Sequence, residues 1–282
     1  MDGRGPWDLH GSIQEHQKLM AWYGKQNIPV EANEAHHWGM RDASDEVFVV
    51  SAYLAAYNAK ANGVKDHIVQ MMFNSPPGTS SAMDIAKMLT VIELVSTLET
   101  HDFKIWKQTR TGLLSYPVDL NQARAHLATT IYIQMALEPD IVHVVGYPEA
   151  DHAVTGLEVI DSCTMARKAI EHAMQSKIDL TSSENIQNRV QELVADAKIV
   201  IEAIRQLGNG YSADPLSDAA VLSATVQQGL LDAPQLLNNK YGKGDISTVI
   251  DSRGACVAVD KNTGEIISVG DRVSRILERK RK

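Results

Sequence analysis

The chain is poor in the features that would make it a disulfide scaffold, a membrane protein or a nucleic-acid binder. It has only two cysteines, Cys163 and Cys256, in 282 residues, and they lie in differently patterned segments. That count excludes a cysteine metal site and leaves a disulfide unsupported, so a reduced, cytoplasmic setting is the default expectation. No apolar run approaches the roughly 18–20 residues that a membrane span needs. The first residues, MDGRGPWDLHG, lack the apolar core of a secretory signal. Positive charge is also scarce: 27 Lys and Arg stand against 35 Asp and Glu, a formal net charge of −8. No basic field exists to attract phosphate backbones, and neither nucleic acid nor membrane is an expected partner. Ser-His-Asp and Cys-His nucleophile motifs are missing, as is a glycine fingerprint for a dinucleotide after the first strand.

What is present is a repeating strand, polar turn, helix pattern. Residues 1–11 read as a flexible leader and 13–23 as a helix, with Gly24 near its end. Strands are expected at 28–30, 67–73, 103–106 and 140–145. The second is nearly continuous in apolar residues, as a parallel strand covered on both sides would be. Helices are expected at 45–62, capped by Ser44 and stopped by Gly63, and from a Ser81–Asp84 capping box through Val95. Others run from Asp119 to about residue 137 and from 156 to 174. These are βα units, which bury their strands in a (β/α)₈ barrel or a doubly wound sheet. The last third differs. A long amphipathic helix at 184–207 and a further helix at 217–231 precede strands at 246–250, 255–259 and 265–269. Asn262-Thr263-Gly264 forms the turn between the last two strands, and 279–282 reads as a solvated tail. A domain boundary is placed near residue 208. Four barrel-type strands cannot close a barrel of eight. The favoured expectation is therefore an α/β, (β/α)₈-type barrel that is partial here and completed by another chain, with a small C-terminal α+β extension.

The densest polar stretch, NIPVEANEAHHWGMRDAS at 27–44, sits at a strand exit and a helix entrance, where α/β enzymes keep their chemistry. Glu31, Asn33 and Glu34 alternate on and just past the strand end. His36 and His37 are adjacent, so they point different ways; they are candidates for substrate contact rather than for a metal pair. Arg41 precedes a helix N-terminus, where its charge opposes the macrodipole and an anion-binding role is a candidate. Asn74 and Ser75 precede the rigid Pro76-Pro77 turn. Arg110, after Gln108, could hold a carboxylate bidentately. Gly146, Tyr147, Glu149 and His152 follow the fourth strand.

The order of segments resembles the large catalytic (epsilon) subunit of cobalamin-dependent glutamate mutase (methylaspartate mutase), in its C-terminal part. The pieces that carry the likeness are LMAWYGKQNIPVEANE at 19–34, GVKDHIV at 63–69, AMDIAKM at 82–88, PEADH at 148–152, IRQLGNG with GLLDAP at 229–234, and DKNTGEIISVG at 260–270. The resemblance implies a barrel whose strand C-termini face adenosylcobalamin. A separate small subunit with a DxHxxG motif, absent from this sequence, would hold most of the cofactor. It implies an isomerase working by radical chemistry on a small carboxylic or amino acid, as one member of a hetero-oligomer. Glu31, Asn33 and Glu34 then stand at the catalytic glutamate's place. His36, His37, Arg41, Asn74 and Arg110 would meet substrate, and Gly146, Tyr147, Glu149 and His152 the cofactor. The sequence also departs from the family. The helix before the first strand has no arginine at the matching positions, Gly146 and Ala150 replace a lysine and a glutamate that hold the adenosyl ribose, and a corrin-facing histidine is replaced near Arg110. An aminomutase-type isomerase subunit and a non-catalytic scaffold subunit are the alternative expectations.

Overall fold

A computed structural model describes residues 5–175 and 178–281, with side chains through residue 278. The order is α1 (Leu9–Gln26), β1 (Val30–Ala32), α2 (Glu34–Gly39), α3 (Asp45–Ala61), β2 (Asp66–Phe73), α4 (Ser81–Ser96), β3 (Lys104–Thr111), α5 (Leu120–Gln134) and β4 (Ile141–His143). There follow α6 (Gly156–Gln175), α7 (Glu184–Gly208), α8 (Ala219–Gln227), β5 (Ser247–Ile250), β6 (Cys256–Val259) and α9 (Val269–Arg281).

The chain is a mixed α/β protein built on a four-stranded parallel sheet in the order β1-β2-β3-β4. Each strand is laid beside its predecessor, with Glu31 opposite Ile68, Gln70 opposite Gln108 and Arg110 opposite His143. Side chains alternate between the two faces of a strand. His67, Val69, Met71 and Phe73 on β2 are buried together with the apolar side chains of α3 and α4. The opposite face carries Glu31, Gln70, Gln108, Arg110 and His143. Among the described residues no strand pairs with the outer edge of β1 or β4.

Nearly every residue of α3 is buried, because the sheet, α4 and α7 surround it. The apolar stripe of α7 (Ile186, Val190, Leu193, Ala197, Ile201, Ile204) packs across α3 and α4 as an outer layer. The boundary placed at 208 falls at the end of α7, and one continuous core includes Val50 and Ile201 before it and Leu216, Leu230 and Val273 after it. No described helix is long and apolar enough to cross a membrane.

Several boundaries differ from the sequence reading. The expected leader gives way at Leu9 to α1, which Asp8 caps by accepting from the Gly11 N–H at 2.7 Å. Gly24 lies inside α1, where a β-carbon would collide with the Gly63 carbonyl, so it marks close packing rather than a helix end. Residues 34–39, expected as loop, form α2. Ser44 occupies the N-cap of α3, but its hydroxyl donates to Glu46 Oε1 at 2.6 Å. The cap of α4 is Ser80 instead of Ser81, and Asp84 accepts from the Asn74 N–H. β3 runs on through residues 107–110 to Thr111, past the expected strand end at 106. The expected strand at 265–269 is reduced to a single bridge between Val259 and Ile266 before α9 begins, and α9 continues to Arg281 where a tail was expected. The two adjoining C-terminal strands form the antiparallel pair β5-β6.

A buried ion cluster ties these layers together. Lys87 Nζ lies 3.2 Å from Asp45 Oδ1 and 3.2 Å from Asp84 Oδ1, and donates to the Ser75 carbonyl at 2.8 Å. Arg189 of α7 reaches Asp45 Oδ2 at 3.0 Å, and the Cys256 N–H donates to the same oxygen. Burial opposes the charge on Lys87, but Asp45 and Asp84 outweigh it and hold the pKa above its ordinary value. Replacing Lys87 with Met leaves two buried carboxylates short of a cation, with an expected loss of about 3–5 kcal/mol in urea denaturation.

His67 is enclosed on the helix-covered face, and burial pushes its pKa down to about 4 from an ordinary 6.5. The unfolded chain takes up a proton below pH 6.5 that the folded chain refuses until about pH 4. His67 therefore supports the fold above pH 6.5 and loses that support, about 3 kcal/mol, as pH falls to 4. The wild-type stability, measured against a His67→Leu variant between pH 7 and 4, should fall more steeply by that amount.

Candidate functional site

The open face of the sheet holds a polar constellation in place of a core. Glu31 on β1 is gripped on both oxygens. Gln70 Nε2 donates to Oε1 at 2.9 Å, and Gln108 Nε2 donates to Oε2 at 3.0 Å. Gln70 Nε2 also donates to Gln108 Oε1 at 3.2 Å, and Gln70 Oε1 lies 3.0 Å from His36 Nδ1. One register step further toward the strand ends stand Arg110 and His143. Arg110 Nε is enclosed with no hydrogen-bond partner.

Electrostatics couple these groups. Burial, then the nearby Arg110 guanidinium, push the His36 pKa down to about 4, so its imidazole is neutral near pH 7. Burial and Arg110 also lower His143, against the opposing pull of Glu31 and Glu149. Burial lowers Arg110 as well, while Glu149, Glu31 and Tyr116 favour its charge. This face of the sheet therefore brings a fixed cation, two carboxylates and two neutral imidazoles into one field. Such a set suits a small carboxylate: Arg110 offers the donor, and the carboxylates and imidazoles offer acceptors for other polar groups of the ligand.

A cleft of about 1090 Å³ opens beside this face, between α1, β1, α2 and α3. Glu31, Asn33, Glu34, His37 and Arg41 all line it. Glu34 points there with Oε2 enclosed and unpartnered, and burial raises its pKa. Arg41 Nη1 donates to the His37 carbonyl at 2.7 Å.

The structure thus gathers some expected residues and separates others. Glu31, His36, Arg110 and Glu149 share one electrostatic neighbourhood, whereas Asn33, Glu34, His37 and Arg41 belong to the cleft rim. Asn74 has a left-handed backbone, and its Oδ1 accepts from Thr130 of α5 at 3.4 Å. Tyr147 is enclosed: its hydroxyl accepts from Arg124 at 2.7 Å and its ring stacks under that guanidinium. Gly146 lies tight against Val154, with no space for a β-carbon. His152 is exposed between Asp151 at 2.8 Å and Glu158 at 2.9 Å, and those two bonds raise its pKa.

Gln70, Gln108 and His143 are members that the sequence reading missed. The signal was a glutamine in the middle of each of two strands. In the second strand it was hidden by reading the run as apolar throughout, and in the third by ending the strand too early. Among the described residues no cluster of three or more His, Cys, Asp or Glu could hold a metal ion. Compared with known protein families and with curated proteins, the chain matches none.

The opposing influences on His143 give a signed prediction. Arg110→Gln should raise the His143 pKa and Glu31→Gln should lower it, as read from histidine chemical shifts across a pH titration.

Proposed function

We propose that this chain is a substrate-side subunit of an adenosylcobalamin-dependent carbon-skeleton mutase similar to glutamate mutase, acting on a small carboxylic or amino acid. In this reading β1 to β4 are half of a (β/α)₈ barrel. A second subunit supplies the remaining strands, and a small subunit with DxHxxG holds most of the cofactor. The observation that carries the proposal is the half-built face: sequentially ordered parallel strands, two edges with no strand neighbour among the described residues, and Arg110 Nε enclosed without an acceptor in the field of Glu31 and near His36. The resemblance in segment order supports the choice of cofactor.

The residues fit this assignment in part. Bound adenosylcobalamin supplies hydrogen-abstraction chemistry that side chains do not offer. At the turn after β4, Glu149 is the exposed carboxylate able to accept from ribose hydroxyls, while Gly146 and Ala150 contribute no charge and Tyr147 is occupied by Arg124. Arg110 would bind the substrate carboxylate. Glu31, locked by two amides, would hold a substrate ammonium or hydroxyl without swinging. The companion chain would exclude water from the strand tips. The changes at Gly146 and Ala150 also favour a second reading, a scaffold subunit whose face has lost turnover.

Co-expression with the neighbouring open reading frames should give a hetero-oligomer with adenosylcobalamin-dependent turnover of a small acid. Arg110→Met should cut kcat/KM by about 10- to 100-fold, the loss of one charged hydrogen bond. Unchanged turnover in that variant would favour the scaffold, and failure to associate with any barrel or cobalamin subunit would contradict both.

A further inference from the structure

We propose that Gln70 is a positioning residue that transmits the charge of Glu31 to His36, fixing the imidazole as its Nδ1–H tautomer so that Nε2 presents a lone pair to a ligand's O–H or N–H. The relay rests on the same pocket as the functional proposal but stands whether or not cobalamin is the cofactor.

The direction of every bond follows from chemistry. An ionised carboxylate only accepts, so both amides facing Glu31 must turn their NH₂ groups toward it. Gln108 Nε2 meets Oε2 and Gln70 Nε2 meets Oε1. The two glutamines then agree with each other, because Gln108 Oε1 faces the second hydrogen of Gln70 Nε2 at 3.2 Å. Gln70 has only its carbonyl left, and that oxygen lies 3.0 Å from His36 Nδ1. An acceptor there requires a proton on Nδ1. The ring is neutral near pH 7 under burial and the Arg110 charge, so Nε2 carries none. No described residue bonds to Nε2.

Reversing either amide would set an amide oxygen against a carboxylate oxygen of Glu31 across a 2.9–3.0 Å contact, which is unfavourable. A free imidazole favours the other tautomer, so a pure Nδ1–H form is informative. With Arg110 the pocket offers one anion-binding donor and one acceptor. That pairing suits an acid carrying a neighbouring hydroxyl or ammonium.

The test is imidazole ¹⁵N NMR of the full chain at pH 7. Wild type should show His36 wholly as Nδ1–H, without imidazolium. Glu31→Gln, which does not touch His36 but frees Gln70 to turn, should populate the Nε2–H form. Gln70→Met, close in volume and without an acceptor carbonyl, should shift the balance further the same way. A wild-type His36 that is Nε2–H or charged overturns the relay, as does a tautomer unchanged in both variants. Neither result bears on cobalamin-dependent turnover, which tests the other proposal separately.

Discussion

The constraint on which this structure depends is that a parallel strand carries hydrogen-bonding groups on both edges, and an edge without a neighbouring strand turns them to water or to another chain. β2 and β3 have a strand on each side, whereas β1 and β4, three residues each, have one strand neighbour among the described residues. Parallel sheets are found with both faces covered, and long bare edges invite pairing with other chains. Exposed apolar side chains, such as Ile28 just before β1 and Leu157 and Ile160 on the helix after β4, add surface that water does not favour. In the reading proposed above, a companion chain would cover both edges and enclose the polar face as well.

The two polar systems of the molecule answer to different pressures. The Lys87 ammonium is fully enclosed and held by Asp45, Asp84 and the Ser75 carbonyl, and its cluster joins the sheet turn to α7 and to the β5-β6 pair. Its role is to fix how layers meet. The Glu31 constellation is directional and incomplete: both oxygens of the carboxylate are held, yet Arg110 Nε has no partner. Arg189 and Arg272 also leave Nε unpartnered, but their terminal nitrogens are held by Asp45 and Glu46, whereas no hydrogen bond or ion pair holds the Arg110 guanidinium among the described residues.

Much of the fold was legible in the sequence, because hydrophobic period and cap chemistry act locally. Asp119 caps α5, Gly63 takes the left-handed backbone after α3, and the α7 stripe is buried as its spacing indicates. Failures came where tertiary context decided. β3 extends through the polar residues 107–110 because one of its faces is lined with polar groups, so alternation there runs between a buried Thr109 and the polar side chains of Gln108 and Arg110. α2 is too short to show a helical period. In the site, Glu31, His36 and Arg110 could be proposed from residue type and position. Gln70 and Gln108 could not, since their importance lies in facing each other across two strands, a register that no local pattern discloses.

Hydrogen exchange at the outer edges of the sheet tests the half-barrel most directly. Amides of β1 and β4 that point away from their neighbours should exchange rapidly in the isolated chain and become protected in the complex recovered from cells. Protection of both edges in a monomeric chain alone would contradict the account.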